Sequence, residues 1–572
     1  MSGKYMKFIG VLIMFSLLLF TAACSDSEES STNNNENDNN EVNSEGNDLA
    51  DMEEIEFSLF AADDNPSWNG MESQVGQIIK EETGVSLEAD FALGDPAERI
   101  SLFAASGDYP DFILPKGDGG LMVDAGAMVD LRPLIEEHGP NIQEVYGDYL
   151  DRMTWSQDDD AIYFLGTNGV DQEYWNPGNG FWLQHAVVEE LGYPEINTVE
   201  DFENAIREYY EMYPEIDGQP TIPLSLLADD WRMLISVTNP AFFATGGSDD
   251  GEWYIDYETQ EATLHYRRPE EREYFRWLNH MNNEGLLDPE SFVQQEDQYI
   301  SKISSGRVLG MIDADWSIGD SQTALREDGK QERMHGIYPV TLDDSFKHAN
   351  MQEAGYLAEW GIGITVDNPN PVRAIKFLDW MAKEESQILN NWGIEGEHYQ
   401  YDDEGNRYLT EEQREERNSD TTFDERTGIN VFTAYGPNYG DGVLDSDGQP
   451  ITINTPETVI DDYTAKEKEV LENYGAETWA DLFPSSDEFP VKPWGAGWEI
   501  NWSSDSPIAV PFQRAQDTMM TRIPEAILAD EDEFDEVYDR FMDELEGHGV
   551  DEMEEEFNQL IQDRIELWGE DE

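Results

Sequence analysis

From residue 55 onward the spacing of apolar residues changes in regular steps, and each step marks an element. Ile55-Glu56-Phe57-Ser58-Leu59-Phe60 alternates closely enough to be a strand. Trp68 to Glu82 reads as a helix stopped at Gly84, and Val85–Phe91 as a second strand. Asp95–Ser106 places Ile100 and Phe103 on one helix face and ends at Gly107, after which Asp111–Leu114 forms a short apolar strand. Strand, helix, strand, helix, strand within about 60 residues predicts a parallel, doubly wound α/β lobe.

A second α/β region starts near Gly166. Thr198-Val199-Glu200-Asp201 is a helix-capping pattern, continued at helical spacing by Phe202, Ile206, Tyr209 and Tyr213. Arg307–Asp313 reads as a buried strand running on to Trp316, and Gly361–Val366 as another. Asn368-Pro369-Asn370-Pro371 then opens a helix with Ile375, Leu378 and Met381 inward. The chain ends in two amphipathic helices, one with Phe534, Val537, Phe541 and Leu545, the next with Met553, Phe557, Ile561, Ile565 and Trp568, separated by Gly547 and Gly549. The sequence has no internal repeat, and no apolar run after residue 23 is long enough to cross a bilayer.

The first residues follow another pattern. Lys4 and Lys7 precede the apolar stretch Phe8–Phe20, and Thr21-Ala22-Ala23 supplies small residues before Cys24. That order is a secretory signal over 1–23. It resembles a lipoprotein signal, in which the cysteine is lipidated and becomes the mature N-terminus. Thr21 stands where Leu is usual. The expected location is the extracytoplasmic face of a bacterial membrane, with the lipid on Cys24 as the only membrane contact. Cys24 is also the only cysteine, which excludes an intramolecular disulfide and a cysteine-based zinc site. Residues 24–53 are Ser, Asn, Asp and Glu with almost nothing apolar, an acidic tether reaching on the order of 30 Å as a coil.

Composition narrows the function. The 125 Asp and Glu against 33 Lys and Arg give a formal charge of −92, which repels phosphate backbones and excludes nucleic-acid partners. A field of that size is tolerable where counter-ions screen it over about 10 Å or less, as in a saline medium. The chain is not disordered as a whole: 39% of its 572 residues are hydrophobic, with 16 Trp, 25 Tyr and 25 Phe, enough for at least two cores.

Several motifs then carry a family resemblance. Ala105-Ser106-Gly107-Asp108-Tyr109-Pro110-Asp111-Phe112-Ile113 resembles the motif after the second helix of family 1 extracellular solute-binding proteins. Ser305-Gly306-Arg307-Val308 through Trp316 resembles a strand of the same family. Lys376-Phe377-Leu378-Asp379-Trp380-Met381 and Asn391-Trp392-Gly393-Ile394-Glu395-Gly396-Glu397-His398-Tyr399 are similar to signatures of its long lipoprotein branch. The resemblance implies a maltose-binding-protein-like, type II periplasmic-binding-protein-like α/β fold. Two lobes, each a sheet flanked by helices, are joined by crossing hinge segments and close on a ligand. Lobe 1 would hold 54–167 with 357–396, and lobe 2 would hold 168–356 with 397–572. The implied function is a monomeric receptor that delivers an oligosaccharide to the permease subunits of an ABC importer.

Sugars offer apolar CH faces and rings of hydroxyls, so their sites combine aromatic rings with carboxylates, amides and arginines on loops at strand ends. Five places fit. After the first strand lie Asp64 and Trp68, where cleft contact and a core tryptophan behind a Ser67 cap are both open. After the third lie Lys116 and Asp118, a ligand-binding loop or an ordinary turn. In lobe 2, Asp230 and Trp231 fit an acid followed by a stacking ring, and Trp316 at the end of its strand is the leading candidate. Trp494 and Trp498, in a glycine-rich run that continues to Trp502, read as a loop carrying large exposed aromatics, with core packing as the alternative.

Enzyme signatures are absent: there is no HExxH, no Walker A loop and no GxSxG, so no catalytic residue and no cofactor is expected. Paired carboxylates carry no weight in so acidic a chain, and a surface-anchored carbohydrate-active enzyme stays open as the alternative, as does a receptor for a peptide or other solute. Eight histidines lack metal-ligand spacing. Two stretches compared with calcium loops, Tyr213–Gly218 and Gln400–Gly405, both lack an acid at the first position, and a structural calcium stays open only as an alternative.

Overall fold

The structure is a computed structural model that describes residues 49, 52–94, 96–157, 159–358, 361–503 and 506–569. The signal segment, Cys24 and the tether to residue 48 lie outside the described residues. The tether ends earlier than its composition suggests: Leu49 is only 8% exposed and belongs to the first hydrophobic core.

Along the chain come β1 (Ile55–Ala61), α1 (Gln74–Thr83), β2 (Val85–Phe91), α2 (Pro96–Ser106) and β3 (Phe112–Leu114). The helical crossovers bring each strand back in the same direction, so β1 pairs in parallel with β2 on one edge and β3 on the other. Helix α1 starts at Gln74, not Trp68. Gly70 and Met71 take φ of 73° and 61°, a left-handed turn that no helix runs through. Ser73 then caps the true start by accepting the Gly76 N–H at 3.2 Å.

The second lobe holds β4 (Asn179–Gln184), α3 (Val199–Met212), β5 (Ile222–Ser225), α4 (Pro269–Asn283), β6 (Val308–Ala314), α5 (Asp315–Glu327) and β7 (His335–Tyr338). Its sheet runs β5–β6–β4–β7, with β5 and β6 parallel and the other pairs antiparallel. Strand β6 is buried along its whole length, as its apolar run predicts. Thr198 caps α3 in the reciprocal way: Thr198 accepts the Asp201 N–H at 3.1 Å, and the Asp201 carboxylate accepts the Thr198 N–H at 3.0 Å.

The chain then returns to the first lobe. There β8 (Gly363–Ile364) pairs antiparallel with β3 to give the order β8–β3–β1–β2, and α6 (Pro371–Met381) packs behind it. The strand expected over 361–366 is shorter because its ends take other partners, Ile362 with Leu165 and Thr365 with Met128. Finally α7 (Ala509–Leu528), α8 (Phe534–His548) and α9 (Val550–Gly569) cover the second lobe.

Side-chain alternation sets the layers. Phe57, Leu59 and Ala61 face the large first core, while Phe60 turns to a smaller cluster with Ile100 and Ile113, so helices cover both faces of that sheet. The second core combines β4–β7 with Met519, Phe541, Phe557 and Ile561 of the C-terminal helices. One expected boundary moves: 397–572 does not belong wholly to lobe 2. Phe423, Ile429, Val431, Phe432 and Tyr435 bury their side chains in the first core. The chain crosses between cores after Val170, after Val340 and after Tyr435. Beside two of these crossings, Gly169–Val170 pairs in parallel with Asn438–Tyr439.

Candidate functional site

Parallel neighbours end side by side, and each lobe uses that fact once. In lobe 1 the loops after β1 and β3 are joined by an ion pair, Lys116 Nζ to Asp63 Oδ1 at 2.6 Å, with Asp64 exposed and Asp118 half-buried nearby in sequence. In lobe 2 the loop after β5 and the first turn of α5, which follows β6 directly, bring Trp231 and Trp316 together. Their ring centroids are 6.1 Å apart and their planes 15° from parallel. Neither is core, since Trp231 is 52% exposed and Trp316 61%. Arg232 braces the pair, with its guanidinium 5.2 Å from the Trp231 ring and ion-paired to Asp230 at 2.7 Å and Glu296 at 2.6 Å. The Asp315 N–H donates to Gly178 O at 2.6 Å, which fastens this strand end to the segment leaving the crossing.

Asp313 sits just before the end of β6 and is 2% exposed. Burial pushes its carboxyl up to about 6, against the Ala314 N–H at 2.8 Å and the nearby Tyr299 and Ser317 hydroxyls, which favour the charged form. Its Oδ2 has no donor within bonding distance among the described residues.

A cavity of about 300 Å³ opens between the lobes. Lys116, Trp155 and Phe164 line it from lobe 1, and Trp502, Leu560 and Trp568 from the C-terminal part. Lys116 therefore belongs both to the lobe 1 strand ends and to this space, so the strand ends face the other lobe. Helix α9 reaches across beside it. The Arg152 guanidinium lies 4.8 Å from the Trp568 ring and 5.3 Å from that of Tyr149, and Gln157 Nε2 donates to Asp563 O at 3.2 Å.

The remaining candidates part company. Trp494 is 1% exposed, so it is not an exposed loop aromatic. Its Nε1 donates at 3.0 Å to Asp250 Oδ1, which also takes Lys492 Nζ at 3.0 Å and the Gly497 N–H at 2.7 Å; this buried carboxylate draws the glycine-rich loop inward. Trp498 is half-buried over Gly251, where an added Cβ would meet the Trp498 Cβ at 2.8 Å. Trp68 is half-buried, edge-on to Phe91, Phe432 and Tyr435 at 6.1, 5.7 and 5.7 Å, without the helix that a Ser67 cap would start. Trp155, Arg152 and Trp568 were not anticipated. The one signal for Trp155 was a tryptophan on a short strand (Thr154–Ser156) among polar neighbours.

Neither stretch compared with calcium loops is built as one. Glu215–Ile216 and Gln219–Pro220 form a tight hairpin with Asp217 and Gly218 at φ 52° and 74°. Asp402 spends its carboxylate on the N–H groups of Glu404 and Asn406, each at 2.8 Å. Among the described residues no group of three or more His, Cys, Asp or Glu is placed to hold a metal, and no helix is long and apolar enough to cross a membrane.

Known proteins share this architecture. The fructooligosaccharide ABC transporter substrate-binding protein FusA of Streptococcus pneumoniae serotype 4 is 23% identical over 348 residues, covering 57% of this chain and 60% of that protein. A solved structure of S. pneumoniae FusA, an EF-hand mutant in complex with fructo-nystose, superposes with a TM-score of 0.63 at 18% identity, over 89% of this chain and 99% of that one. The alginate-binding protein AlgQ2 without calcium ion gives 0.63 at 16% identity, over 90% and 99%. An HMO-binding ABC-transporter-associated solute-binding protein of Bifidobacterium longum infantis gives 0.64 at 13% identity, over 89% and 99%. These likenesses show the two-lobed, type II periplasmic-binding-protein-like fold. A sequence profile described as bacterial extracellular solute-binding protein matches residues 74–392, more than half of the chain, and the chain belongs to that family.

Proposed function

We propose that this chain is the binding receptor of an ABC importer, carried on the outer face of a bacterial membrane by a lipid on Cys24, and that its ligand is an oligosaccharide gripped between the lobes. The observation that carries the reading is the exposed, near-parallel Trp231–Trp316 pair at two adjacent strand ends. Aromatic faces left in water at the ends of parallel strands match the CH faces of sugar rings, and a soluble domain has little other reason to keep two indoles there. Asp64, Lys116 and Asp118 on the opposing lobe, and Asp230 beside the rings, supply donors and acceptors for hydroxyls. Trp68 stiffens the loop that carries Asp64. A ligand touching both walls favours the closed arrangement, which the permease recognises. FusA and the Bifidobacterium protein, whose names state sugar ligands, add support from likeness.

The test is titration of the soluble body with oligosaccharides, following tryptophan fluorescence and heat, with chromatography of the sugar afterwards. Saturable binding with the sugar recovered intact is expected. Cleavage products would replace the receptor with an enzyme. The anchor has its own test: Cys24→Ala should take up no lipid label, and labelling of that variant would overturn the anchoring.

A further inference from the structure

We propose that the cavity between the lobes is a subsite for one end of the oligosaccharide, so that affinity rises with chain length as the ligand fills this space in addition to covering the Trp231–Trp316 pair. The proposal rests on the sugar-receptor reading above and adds where the chain ends.

Rings that the cores do not use face this space. Trp155, Phe164, Trp502 and Trp568 line the cavity, and all four are half-buried. Among the described residues, Trp155 and Trp568 belong to none of the three hydrophobic cores. Tyr163 and Phe164 meet the Trp155 ring at 76° and 49°, and among the described residues no stacked ring covers its face. Helix α9 shows the same excess. One of its faces enters the second core through Met553, Phe557 and Ile561. A second stripe, Leu560, Asp563, Arg564, Leu567 and Trp568, recurs at helical spacing and turns to the cavity. Leu567 and Trp568 lie outside every core, so this stripe is a wall for something other than protein packing.

The lining selects the occupant. Lys116, Asp124, Arg152 and Asp563 stand among the rings, which mixes aromatic faces with charges of both signs. An acyl chain would leave those charges unsolvated. A sugar offers CH faces to the rings and hydroxyls that both donate and accept. The volume of about 300 Å³ is at the lower end for small-ligand pockets, room for the end of a chain and not the whole. One side is shut, because Arg152 lies against Trp568 and Gln157 donates to Asp563 O at 3.2 Å, and all four residues line the cavity. Neither Trp231 nor Trp316 lines it, so a sugar unit on the paired indoles leaves the cavity to the further units of a longer chain.

The wall also offers a way to fill the space. Gly120 lines it from the short helix Gly119–Asp124, and a Cβ added there would meet only Trp502 O within 4 Å, at an ordinary 3.5 Å. The experiment measures, by calorimetry, affinities of the protein for di- to hexasaccharides of fructose, glucose, galactose and mannose. In the wild type the longest chain of the best series is expected to bind about tenfold tighter than the shortest. Trp155→Ala, which removes a ring, and Gly120→Leu, which fills the cavity, should each bring that ratio to about one. Trp316→Ala should lower affinity at every length. Thermal melts check the fold, and should Trp155→Ala melt early, Gly120→Leu decides, because leucine suits a helix better than glycine. A ratio that both variants leave at the wild-type value overturns the subsite, and the receptor stands on the loss in Trp316→Ala. A wild type indifferent to chain length overturns the subsite as well. Binding by no probe removes the sugar reading itself, and the subsite with it.

Discussion

Two tryptophans in one lobe illustrate opposite uses of the same side chain. Trp316 stands 61% exposed against Trp231, whereas Trp494 is sealed in, its indole N–H on Asp250. Trp316→Ala should cost about 1–3 kcal/mol of sugar affinity, mostly as faster dissociation, with little change in melting temperature. Trp494→Ala should cost about 3–5 kcal/mol of stability, because it opens a cavity and strips a buried carboxylate of one donor. Calorimetric titration and thermal melts on both proteins separate these outcomes. Asp313 adds a pH dependence. Its folded pKa is raised from 3.8 to about 6, so the protonated form favours the folded state, and that contribution is lost as pH rises from about 4 through about 6. Asp313→Asn should therefore stabilise the fold little at pH 4 and by about 3 kcal/mol at pH 8, scaled from about 1.4 kcal/mol per pKa unit. Melts of both proteins across that range give the difference; a difference that does not grow with pH would be inconsistent with a buried, mostly unpaid charge.

Among the elements, α9 has the widest role, because it belongs to the second core through Phe557 and Ile561 while Trp568 near its end meets Arg152 of lobe 1. Trp568→Ala should cost about 1–2 kcal/mol of stability and increase the radius of the unliganded protein in solution scattering, since a cation–ring contact between the lobes goes with it. Much of the element plan was legible from periodicity. The strand at Ile55, the Thr198 cap, the buried strand before Trp316 and the C-terminal helix pair all follow from local spacing, because their apolar faces meet a core next to them. What was not legible depended on distant partners. The Gly70–Met71 turn displaces a helix start that spacing alone would place at Trp68. Residues 423–435 carry no local mark that they return to the first core. The glycine-rich tryptophan loop looked exposed because its organiser, Asp250, lies far upstream. The placement of Asp64, Asp118, Asp230 and both exposed indoles just beyond strand ends could be read in advance, whereas Trp155, Arg152 and Trp568 come together only in three dimensions.

At the scale of the whole molecule charge dominates. With −92 to distribute, most surface neighbours repel, and added salt weakens that repulsion more than it weakens the exposed ion pairs. The melting temperature should climb from dilute buffer to molar NaCl, and a flat or falling series would exclude self-repulsion as the main electrostatic term. The threading of the chain has a further consequence, which concerns time. Phe112–Leu114 cannot complete its sheet edge until Gly363–Ile364 exists, and the first core also waits for Phe423–Tyr435. The second core, begun at Phe181, waits for Ile561. At synthesis rates of about 5–20 residues per second, the stretch from Val340 to Ile561 takes on the order of ten to forty seconds to appear, and the first core stays incomplete until Tyr435 and the second until Ile561, each with apolar faces uncovered. A chain cut short anywhere before α9 is thus a target for proteases rather than a smaller receptor, and the pace of delivery, not the search for contacts, decides when this protein can first become compact.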